Sequence, residues 1–339
     1  MQRERRTDTV ELAANPTYWN RTRGPRLSKI VFRNDLSAGR ALDLVCDTEG
    51  QVDLVTEVPP SQAHRVRDSE HAELVAVDAF RVLAGAFDRS STALPLGDVR
   101  ARRALNLAID RTALVAGAMH GCARPMSGLT PSVPLTGAVL FPDRLTPYPH
   151  DPERAAQLWR AATGASGGTL RLAALAPRAD VAQQIADQLA TALELTCPID
   201  VLDAEQEREA RRRLAAKDAP QGWDVLLLDH GAQSADAPPL ELHRAFVGRT
   251  GEFRSGPVLP RFEKLFGQLV RQTGPARQSL AANRVDRFVT RQALALFLVA
   301  PQALYAVNRH VDFRPYRNTL ELANSSVDRR HWSRGGPGG

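Results

Sequence analysis

The chain has 339 residues, of which 43% are hydrophobic and 24% are charged, a composition typical of a globular protein large enough for two domains. Its 44 basic and 38 acidic residues, with a formal net charge of +6, are interleaved along the sequence. Nucleic-acid-binding proteins usually cluster basic residues on one face, so direct binding to nucleic acid is not expected.

The first 90 residues predict strands with short helices between them. Residues 29–35 (KIVFRND) predict a strand, and residues 37–55 predict a short helix, a turn at Gly50 and a second strand. Residues 71–88 (HAELVAVDAFRVLAGAFD) predict one or two further strands, because apolar residues run through them.

Residues 98–121 predict two consecutive amphipathic helices. Asp98 and Asp110 are suitable N-cap residues, because a carboxylate can accept the free amide hydrogens of a first turn. Apolar residues recur after Asp98 at close to helical spacing, and Arg100, Arg102 and Arg103 fall largely outside that stripe. We therefore expect these arginines on the solvated side of a helix rather than in contact with DNA.

From residue 90 to residue 230 the predicted helices and strands alternate, as in an α/β protein. Residues 151–163 and 179–193 predict helices, and residues 223–230 (WDVLLLDH) predict a strand buried on both faces. Residues 276–299 predict a long helix, and the glycine-rich C-terminus predicts a flexible tail.

The cysteines and the N-terminus bear on the cellular compartment. Cys46, Cys122 and Cys197 form neither a CxxC motif nor a disulfide framework, so we expect buried thiols. The N-terminus has no apolar run of signal-peptide length, and no segment has the roughly 18 to 20 apolar residues that cross a bilayer. As written, the sequence predicts a soluble chain without an export signal.

Two patterns that could indicate catalysis or metal binding lack the context that the chemistry requires. Residues 164–168 (GASGG) match a nucleophile motif, but a predicted helix precedes Ser166 and a strand follows it, the reverse of a nucleophile elbow. His230 and His243 bracket Asp236 and Glu241, but their spacing matches no helical metal motif. The sequence also has no Rossmann fingerprint and no glycine-rich phosphate loop. We expect no catalytic residues, no metal site and no cofactor.

Several motifs, taken in order, resemble the family 5 extracellular solute-binding proteins, the oligopeptide, dipeptide and nickel receptors of bacterial ABC importers. The resemblance covers about residues 15–325. The motifs are NPTYWN (15–20), KIVFR (29–33), EGQVDLV (49–55), LGDVRARRALNLAIDR (96–111), GCARPMSGLTP (121–131), YPHDPERAAQLWRAAT (148–163), WDVLLLD (223–229) and VAPQALYAV (299–307).

The resemblance implies an α/β, two-lobed, periplasmic-binding-protein-like (type II) fold that holds its ligand between the lobes. Residues 1–88 would form a partial lobe I, residues 89–300 would form lobe II, and residues 301–327 would return to lobe I. Residues 328–339 would be the flexible tail.

The chain departs from the family at its N-terminus, where family members carry a signal peptide and much of lobe I before the NPxYW motif. Here the motif begins at Asn15, so the resemblance implies a truncated member with one lobe incomplete. We expect strand edges and apolar faces left uncovered, and a separate chain is one way to supply the missing section. The location would be the periplasm or the exterior of the cell envelope if a missing N-terminus carries a signal. It would be cytoplasmic if the chain is complete as given.

A second departure concerns the segment after the WD strand, which in peptide-binding members resembles GW.AD..DP. Counted from Asp224, His230 stands where these members have the ligand-stacking Trp, Gln233 where they have the Asp that pairs with the peptide ammonium, and Asp236 at the second Asp. A neutral Gln cannot supply that charge-assisted pairing. His230, Gln233 and Asp236 are therefore candidate ligand-binding residues for a short peptide or another small polar solute.

The resemblance implies the solute-binding component of an ABC importer, which passes its ligand to a membrane permease and is not an enzyme. The alternative is a cytoplasmic ligand-sensing domain of a transcriptional regulator, with a partner chain supplying the DNA-binding module. An enzyme built on the same fold is a third idea, for which the sequence offers no nucleophile or metal set.

Overall fold

The chain divides into two units, one formed by Met1–Asp78 with Ala303–Gly339 and the other by Ala79–Gln302. The structure, a computed structural model, describes residues 9–20, 22, 25–131, 145–217, 222–231, 238–315 and 322–334. The boundary between the units after Asp78 lies ten residues before the boundary expected after residue 88, because residues 81–87 form a strand of the second unit. The assignment of these units to lobes I and II stays a prediction.

The described strands and helices follow each other in chain order. The strands are β1 (Thr9–Ala13), β2 (Lys29–Arg33), β3 (Leu54–Val55), β4 (Ala72–Asp78), β5 (Arg81–Phe87), β6 (Ala123–Pro125), β7 (Gly168–Thr169), β8 (Leu172–Leu175), β9 (Leu195–Thr196), β10 (Ile199–Leu202), β11 (Val225–Gly231), β12 (Leu296–Asn308), β13 (Val311–Asp312) and β14 (Ser326–Val327). The helices are α1 (Ala38–Asp47), α2 (Ala63–Arg67), α3 (Val99–Ala108), α4 (Arg111–Ala116), α5 (Pro152–Thr163), α6 (Ala179–Leu193), α7 (Ala204–Ala216), α8 (Pro238–Val247), α9 (Pro260–Val270) and α10 (Pro275–Arg291).

The second unit is built on a mixed sheet with the strand order β10-β8-β11-β5-β12. β10, β8 and β11 are parallel to one another, and β5 is antiparallel to both β11 and β12. Strands β8, β10 and β11 are separated along the chain by helices α6 and α7, so the α/β pattern predicted for residues 90–230 is confirmed.

Both faces of this sheet are covered, which explains its continuous apolar strands. In β11, Val225 and Leu227 pack into the core that contains residues of α3, α5 and α6. Leu226 and Leu228 pack into the other core, with residues of α8, α9 and α10. Successive side chains of a strand point to opposite faces, so the predicted burial of this strand on both faces is confirmed.

The helix predicted over residues 276–299 is wrong in its last third. Helix α10 ends at Arg291, and the chain continues as β12 from Leu296. The apolar residues 296–299 are fully buried in the sheet, and a short apolar run does not distinguish a helix from a buried strand by its pattern. Pro301 lies within β12, where its register partner is Ala123 of the three-residue strand β6.

The expected solvation of the arginines in α3 is wrong for Arg102. Its side chain is buried and donates hydrogen bonds to the carbonyl oxygens of Leu96 and Ala293, whereas Arg100 is exposed and pairs with Asp98. Burial lowers the pKa of Arg102 to about 10. The helical pattern missed this arginine because some of its partners, the backbone carbonyls of Gln292 and Ala293, lie about 190 residues away in the chain.

In the first unit, Val55 of β3 pairs with Ala306 of β12, and β4 also pairs with β12. Strands β1 and β2 form an antiparallel ribbon of their own. Apolar side chains of this ribbon and of the loop that joins its strands are exposed: Val10, Leu12, Trp19 and Val31.

Residues 328–334 belong to the segment that the sequence predicts as a flexible tail, and two of their side chains contact Asp53. His331 is buried, and its Nε2 lies 3.0 Å from Asp53 Oδ1. Trp332 Nε1 donates to the same oxygen at 2.8 Å. The polar contacts to Asp53 hold this segment against the first unit, an arrangement that local composition does not reveal.

The cysteines are free thiols, with Cys46 and Cys122 buried and Cys197 half-buried. Burial raises the pKa of Cys197 to about 11, so this thiol stays protonated at neutral pH. Among the described helices, none has both the length and the apolar character needed to span a membrane.

Candidate functional site

The carboxyl ends of β8, β10 and β11 meet at one edge of the sheet in the second unit, because these strands are parallel. In open α/β sheets, ligands bind outside the carboxyl ends of the strands. The antiparallel strand β5 begins at this edge, with Arg81 opposite Gly231. The edge therefore combines the last residues of three strands with the first residue of a fourth.

Two arginines and one aspartate from three of these strand ends form an arginine–aspartate cluster of Arg81, Arg178 and Asp229. Arg81 Nε lies 2.5 Å from Asp229 Oδ1, and the guanidinium group of Arg178 donates to Asp229 Oδ2. The Asp229 side chain is only 8% exposed, and that of Arg178 only 15%. Charge-assisted hydrogen bonds of this kind are short and strong.

The local sequence explains how each member reaches the cluster. Asp229 follows the buried apolar run of β11, Arg178 ends the short 3-10 turn after β8, and Arg81 is the first residue of β5. Arg178 also directly precedes helix α6. The carboxylate of Asp229 is thus shared between the guanidinium groups of Arg81 and Arg178.

His230 follows Asp229 in β11, so its side chain points to the opposite face of the strand. Its ring meets Phe253 edge-on, with centroids 4.9 Å apart, and Phe246 at 6.4 Å. Burial is the main cause that lowers the pKa of His230 below its ordinary value, and Arg211 lowers it further, whereas Glu252 opposes the shift. The imidazole is therefore neutral at pH 7 and can both donate and accept a hydrogen bond.

Of the three residues predicted for ligand binding, His230 lies at this strand edge. Gln233 and Asp236 lie outside the described residues, so the structure does not place them relative to His230. His243, which could be drawn with His230 as a metal pair, is buried in α8, with its Nε2 2.7 Å from Asp286 Oδ1 of α10. Ser166 lies in an exposed turn between α5 and β7, where its hydroxyl donates to Glu194 at 3.1 Å.

Sequence reasoning missed Arg81, Arg178 and Asp229 as site residues. Asp229 lies 148 residues from Arg81 and 51 from Arg178 along the chain, so no local pattern joins them. The available signal was their position at the predicted ends of strands, where functional side chains of α/β proteins concentrate.

A cavity of about 690 Å³ lies elsewhere in the second unit, beside β10 and α7. Charged side chains of α7, such as Glu205, Glu209 and Arg212, contribute much of its lining, and no member of the arginine–aspartate cluster contributes to it. Its lining comes largely from the edge strand β10 and from α7, so we take the cluster and His230 as the candidate site.

Comparison with protein families decides the assignment. The family model described as "Bacterial extracellular solute-binding proteins, family 5 Middle" matches residues 1–240. The chain belongs to family 5. The predicted resemblance is thereby confirmed, and the family is one of binding proteins. These comparisons give no support to the alternative of a regulator's ligand-sensing domain.

Curated relatives of this family 5 protein include glutathione-binding proteins GsiB. That of Salmonella typhimurium is 28% identical over 156 residues, which are 46% of this chain and 28% of the relative. The GsiB protein of Escherichia coli K12 is 27% identical over 156 residues, again 46% of this chain and 28% of the relative. The matched region thus spans less than a third of the curated relatives.

Solved structures of low sequence identity share the fold of this family 5 chain. The substrate-binding protein CtaP of Listeria monocytogenes matches with a TM-score of 0.76 and 16% identity, over 94% of this chain and 64% of that one. NikA of Brucella suis, in complex with Fe(III)-EDTA, matches with a TM-score of 0.76 and 16% identity, over 96% of this chain and 67% of NikA. The murein tripeptide binding protein MppA of Escherichia coli matches with a TM-score of 0.72 and 17% identity, over 96% of this chain and 63% of MppA. The predicted type II periplasmic-binding-protein-like fold is confirmed.

Proposed function

We propose that this protein binds a small solute with an anionic group and presents it to the membrane permease of an ABC importer, in the periplasm or on the exterior of the cell envelope. Family membership supports the solute-binding role. The observation that carries the choice of an anionic solute is the sharing of Asp229 between Arg81 and Arg178 at the carboxyl edge of the sheet.

The cluster favours an anion for two physical reasons. Asp229 carries one negative charge and pairs with both Arg81 and Arg178. Its carboxylate therefore does not neutralise the positive charge of Arg178 alone. The side chains of Asp229 and Arg178 are also mostly buried. The effective dielectric constant is lower there than in water, so an added carboxylate interacts more strongly with Arg178. A guanidinium group binds a carboxylate through two parallel hydrogen bonds, so a ligand carboxylate is the group that we expect beside Arg178.

The candidate residues at the end of β11 and after it complete the proposed site. His230 offers a neutral imidazole at the same strand edge, on the opposite face of β11 from Asp229, and Gln233 and Asp236 stay proposed ligand-binding residues on the family resemblance. A neutral side chain at position 233 suits a ligand whose recognition does not depend on a buried ammonium group. Reversible binding is sufficient for this role, so no catalytic residue is required.

The names of the relatives suggest a first ligand to test. GsiB proteins are glutathione-binding proteins by name, and glutathione is a peptide-like molecule with two carboxylates. We therefore propose a thermal-shift screen with glutathione, succinate, a neutral dipeptide amide, a neutral sugar and a cationic diamine. Ligands that bind the folded state raise the unfolding midpoint by mass action.

The screen and a variant separate the parts of the proposal. We expect at least one of the carboxylate ligands to raise the midpoint, and Arg178→Gln to weaken that ligand at least tenfold, because one charge-assisted pair contributes about 1.5 to 3 kcal/mol. Arg100→Gln removes an exposed arginine that is also paired with an aspartate and should leave binding unchanged. Binding of the neutral or cationic ligands alone would contradict the anionic site. Binding of no solute to the folded protein would contradict the solute-binding role itself.

We also propose that a separate chain supplies a section that covers the β1–β2 ribbon. Val10, Leu12 and Val31 are exposed on this ribbon, and a two-stranded ribbon alone is at best marginally stable in water. The chain covers 64% of the length of CtaP. Limited proteolysis should cut residues 9–33 first, and co-expression with a polypeptide encoded next to this chain should protect them. Equal protection of the chain purified alone would contradict this proposal.

A further inference from the structure

The cavity of about 690 Å³ beside β10 and α7 of the second unit lies apart from the arginine–aspartate cluster. Asp200 and Leu202 of β10 line it, and side chains two residues apart in a strand point to the same face. Ala173, which also lines the cavity, is the register partner of Asp200 in the neighbouring strand β8. Because small-molecule sites commonly enclose roughly 300 to 1,000 Å³, this space is large enough for a small organic ligand.

Apolar side chains form one part of the cavity wall. Ala173 belongs to the core on this face of the sheet, and Leu202 of β10 and Ala210 of α7 pack against that core. All three residues line the cavity. An apolar group in this part of the cavity would remove their surface from water, which is favourable.

Trp223, which precedes β11, brings a hydrogen-bond donor to the cavity. The residue is only 5% exposed and lines the cavity. Within the described part of the chain, no atom accepts a hydrogen bond from its indole N–H, whereas the indole N–H of Trp159 donates to the carbonyl oxygen of Gly167 at 3.0 Å. Trp223 Nε1 is not one of the atoms that the protein both encloses completely and leaves without a partner. The N–H therefore faces the cavity, and a buried indole N–H usually has an acceptor.

Carboxylates give the cavity a preference for a cation. Asp200 and Glu205 line it, and neither forms an ion pair with another described residue. Glu209, a third carboxylate of the lining, is paired with Arg212. Arg208 also lines the cavity without an ion pair to a described residue, so two such carboxylates face one such arginine. An ammonium group pairs with a carboxylate through charge-assisted hydrogen bonds.

We propose that this cavity binds a small amine that has an apolar body and an oxygen atom able to accept a hydrogen bond. The ammonium group pairs with Asp200, and the charge of Glu205 adds to the attraction. The body lies against Leu202 and Ala210, and the oxygen accepts from Trp223 Nε1. This ligand is opposite in charge to the solute proposed for the arginine–aspartate cluster, and no residue of that cluster lines the cavity. The two sites are therefore independent.

Tyramine is a suitable probe, because it combines an ammonium group, an aromatic body and a phenolic oxygen. The indole N–H signals of the ¹⁵N-labelled full chain are followed by NMR while tyramine is added at neutral pH. The chain has four tryptophans, and the signal that disappears in Trp223→Phe identifies Trp223. We expect this signal to shift saturably with a Kd below about 1 mM, while the signals of Trp19 and Trp332 stay in place.

Three matched compounds separate the contributions to binding. Phenethylamine lacks the oxygen and tyrosol lacks the ammonium group, so each should bind at least about fivefold more weakly than tyramine. Hydroxyphenylpropionate carries a carboxylate in place of the ammonium group and should not shift the Trp223 signal. Binding of this anion as tight as that of tyramine would show that the cavity does not select a cation, which overturns the proposal.

Variants of the chain locate the ligand, with affinities measured by calorimetric titration. Asp200→Asn should weaken tyramine at least about fivefold, because the ammonium group loses its charged partner. Asp200 is exposed, so this substitution should leave the fold intact. Trp223→Phe, which keeps an aromatic ring but removes the donor, should weaken tyramine about fivefold.

Two further variants are controls. Asp187→Asn removes an exposed carboxylate of α6, a helix that packs into the core on the other face of the sheet, and should bind tyramine as the unchanged chain does. Arg178→Gln, which should weaken the proposed anionic solute, should also leave tyramine binding unchanged. The proposal is overturned if the Trp223 signal shows no saturable shift, or only one with a Kd above about 1 mM. Tyramine binding that Asp200→Asn and Trp223→Phe both retain in full would place the ligand elsewhere and overturn it too.

Discussion

Arg111 Nε donates a hydrogen bond to the carbonyl oxygen of Phe297 at 2.7 Å and thereby joins the start of α4 to strand β12, 186 residues further along the chain. The same guanidinium group donates to Asn106 Oδ1 at 3.0 Å, and Asn106 Oδ1 accepts in turn from the amide of Phe297. Arg111 is almost fully buried, and burial lowers its pKa to about 10, so it remains charged at pH 7. The arginine is a structural crosslink of the second unit.

Arg111→Met should reduce the free energy of unfolding by about 3 kcal/mol or more, because several buried carbonyl oxygens lose their donor. Arg111→Lys should lose most of the same free energy, since an ammonium group cannot reach Phe297 and Asn106 in the geometry of the guanidinium fork. Urea denaturation followed by circular dichroism measures both changes. Arg100→Met, at an exposed ion pair, should change stability by no more than about 0.5 kcal/mol. Equal losses at positions 100 and 111 would contradict the crosslink.

Gly85→Ala should destabilise the second unit by about 1 to 3 kcal/mol through overpacking. A Cβ atom at this position of β5 would lie 2.6 Å from Val225 Cγ1 and 3.0 Å from Leu296 Cβ, in the two neighbouring strands. Gly39→Ala is the matched control, because a Cβ there meets nothing within 4 Å and the residue lies in α1. Gly39→Ala should raise the free energy of unfolding by up to about 1 kcal/mol, and with it the midpoint of thermal unfolding. A stabilised Gly85→Ala variant would show that the strands move apart without cost.

The stability contribution of His230 should fall in mildly acidic solution. Burial holds the pKa of the folded His230 below its ordinary value, so the unfolded chain takes up its proton first as the pH falls. Stability is therefore fully present above the unfolded pKa of about 6.5 and decreases down to the folded pKa, below which it changes no further. Unfolding of the unchanged chain and of His230→Phe at pH 7.5 and 5.5 isolates this difference, because the remaining histidines are common to both. An NMR titration that places the pKa of His230 above 6.5 would reverse the expected sign.

Asp53→Ala should release the C-terminal segment and lower the stability of the first unit by about 1 to 3 kcal/mol, because the buried His331 ring loses its carboxylate. Hydrogen exchange measured by mass spectrometry should show faster exchange in residues 326–334 of this variant. Asp312→Ala removes a carboxylate that pairs with Arg314 at the surface and should leave exchange there unchanged. Protection of residues 326–334 that persists in Asp53→Ala would mean that apolar contacts alone hold the segment.

Several elements were predictable from the sequence because their causes are local. Asp98 and Asp110 were identified as caps, and each accepts backbone amide hydrogen bonds of its helix. The strand after Trp223 was predictable because an apolar run flanked by polar residues suits a strand buried on both faces. The boundary between α10 and β12 was not predictable in the same way, because Leu294 to Val299 satisfies the pattern of either element and the sheet decides between them.

The sequence by itself determined the alternation of helices and strands, the caps that start the helices and the membership of family 5, since each depends on residues close together in the chain or on ordered motifs. Only the tertiary structure decided that Arg102 and Arg111 are buried crosslinks and that Arg81, Arg178 and Asp229 form one cluster. The physical reason is that a charged side chain is buried only where other groups supply its hydrogen bonds, and here distant groups supply part of them. Those groups come together through the register of strands that lie more than a hundred residues apart in the chain.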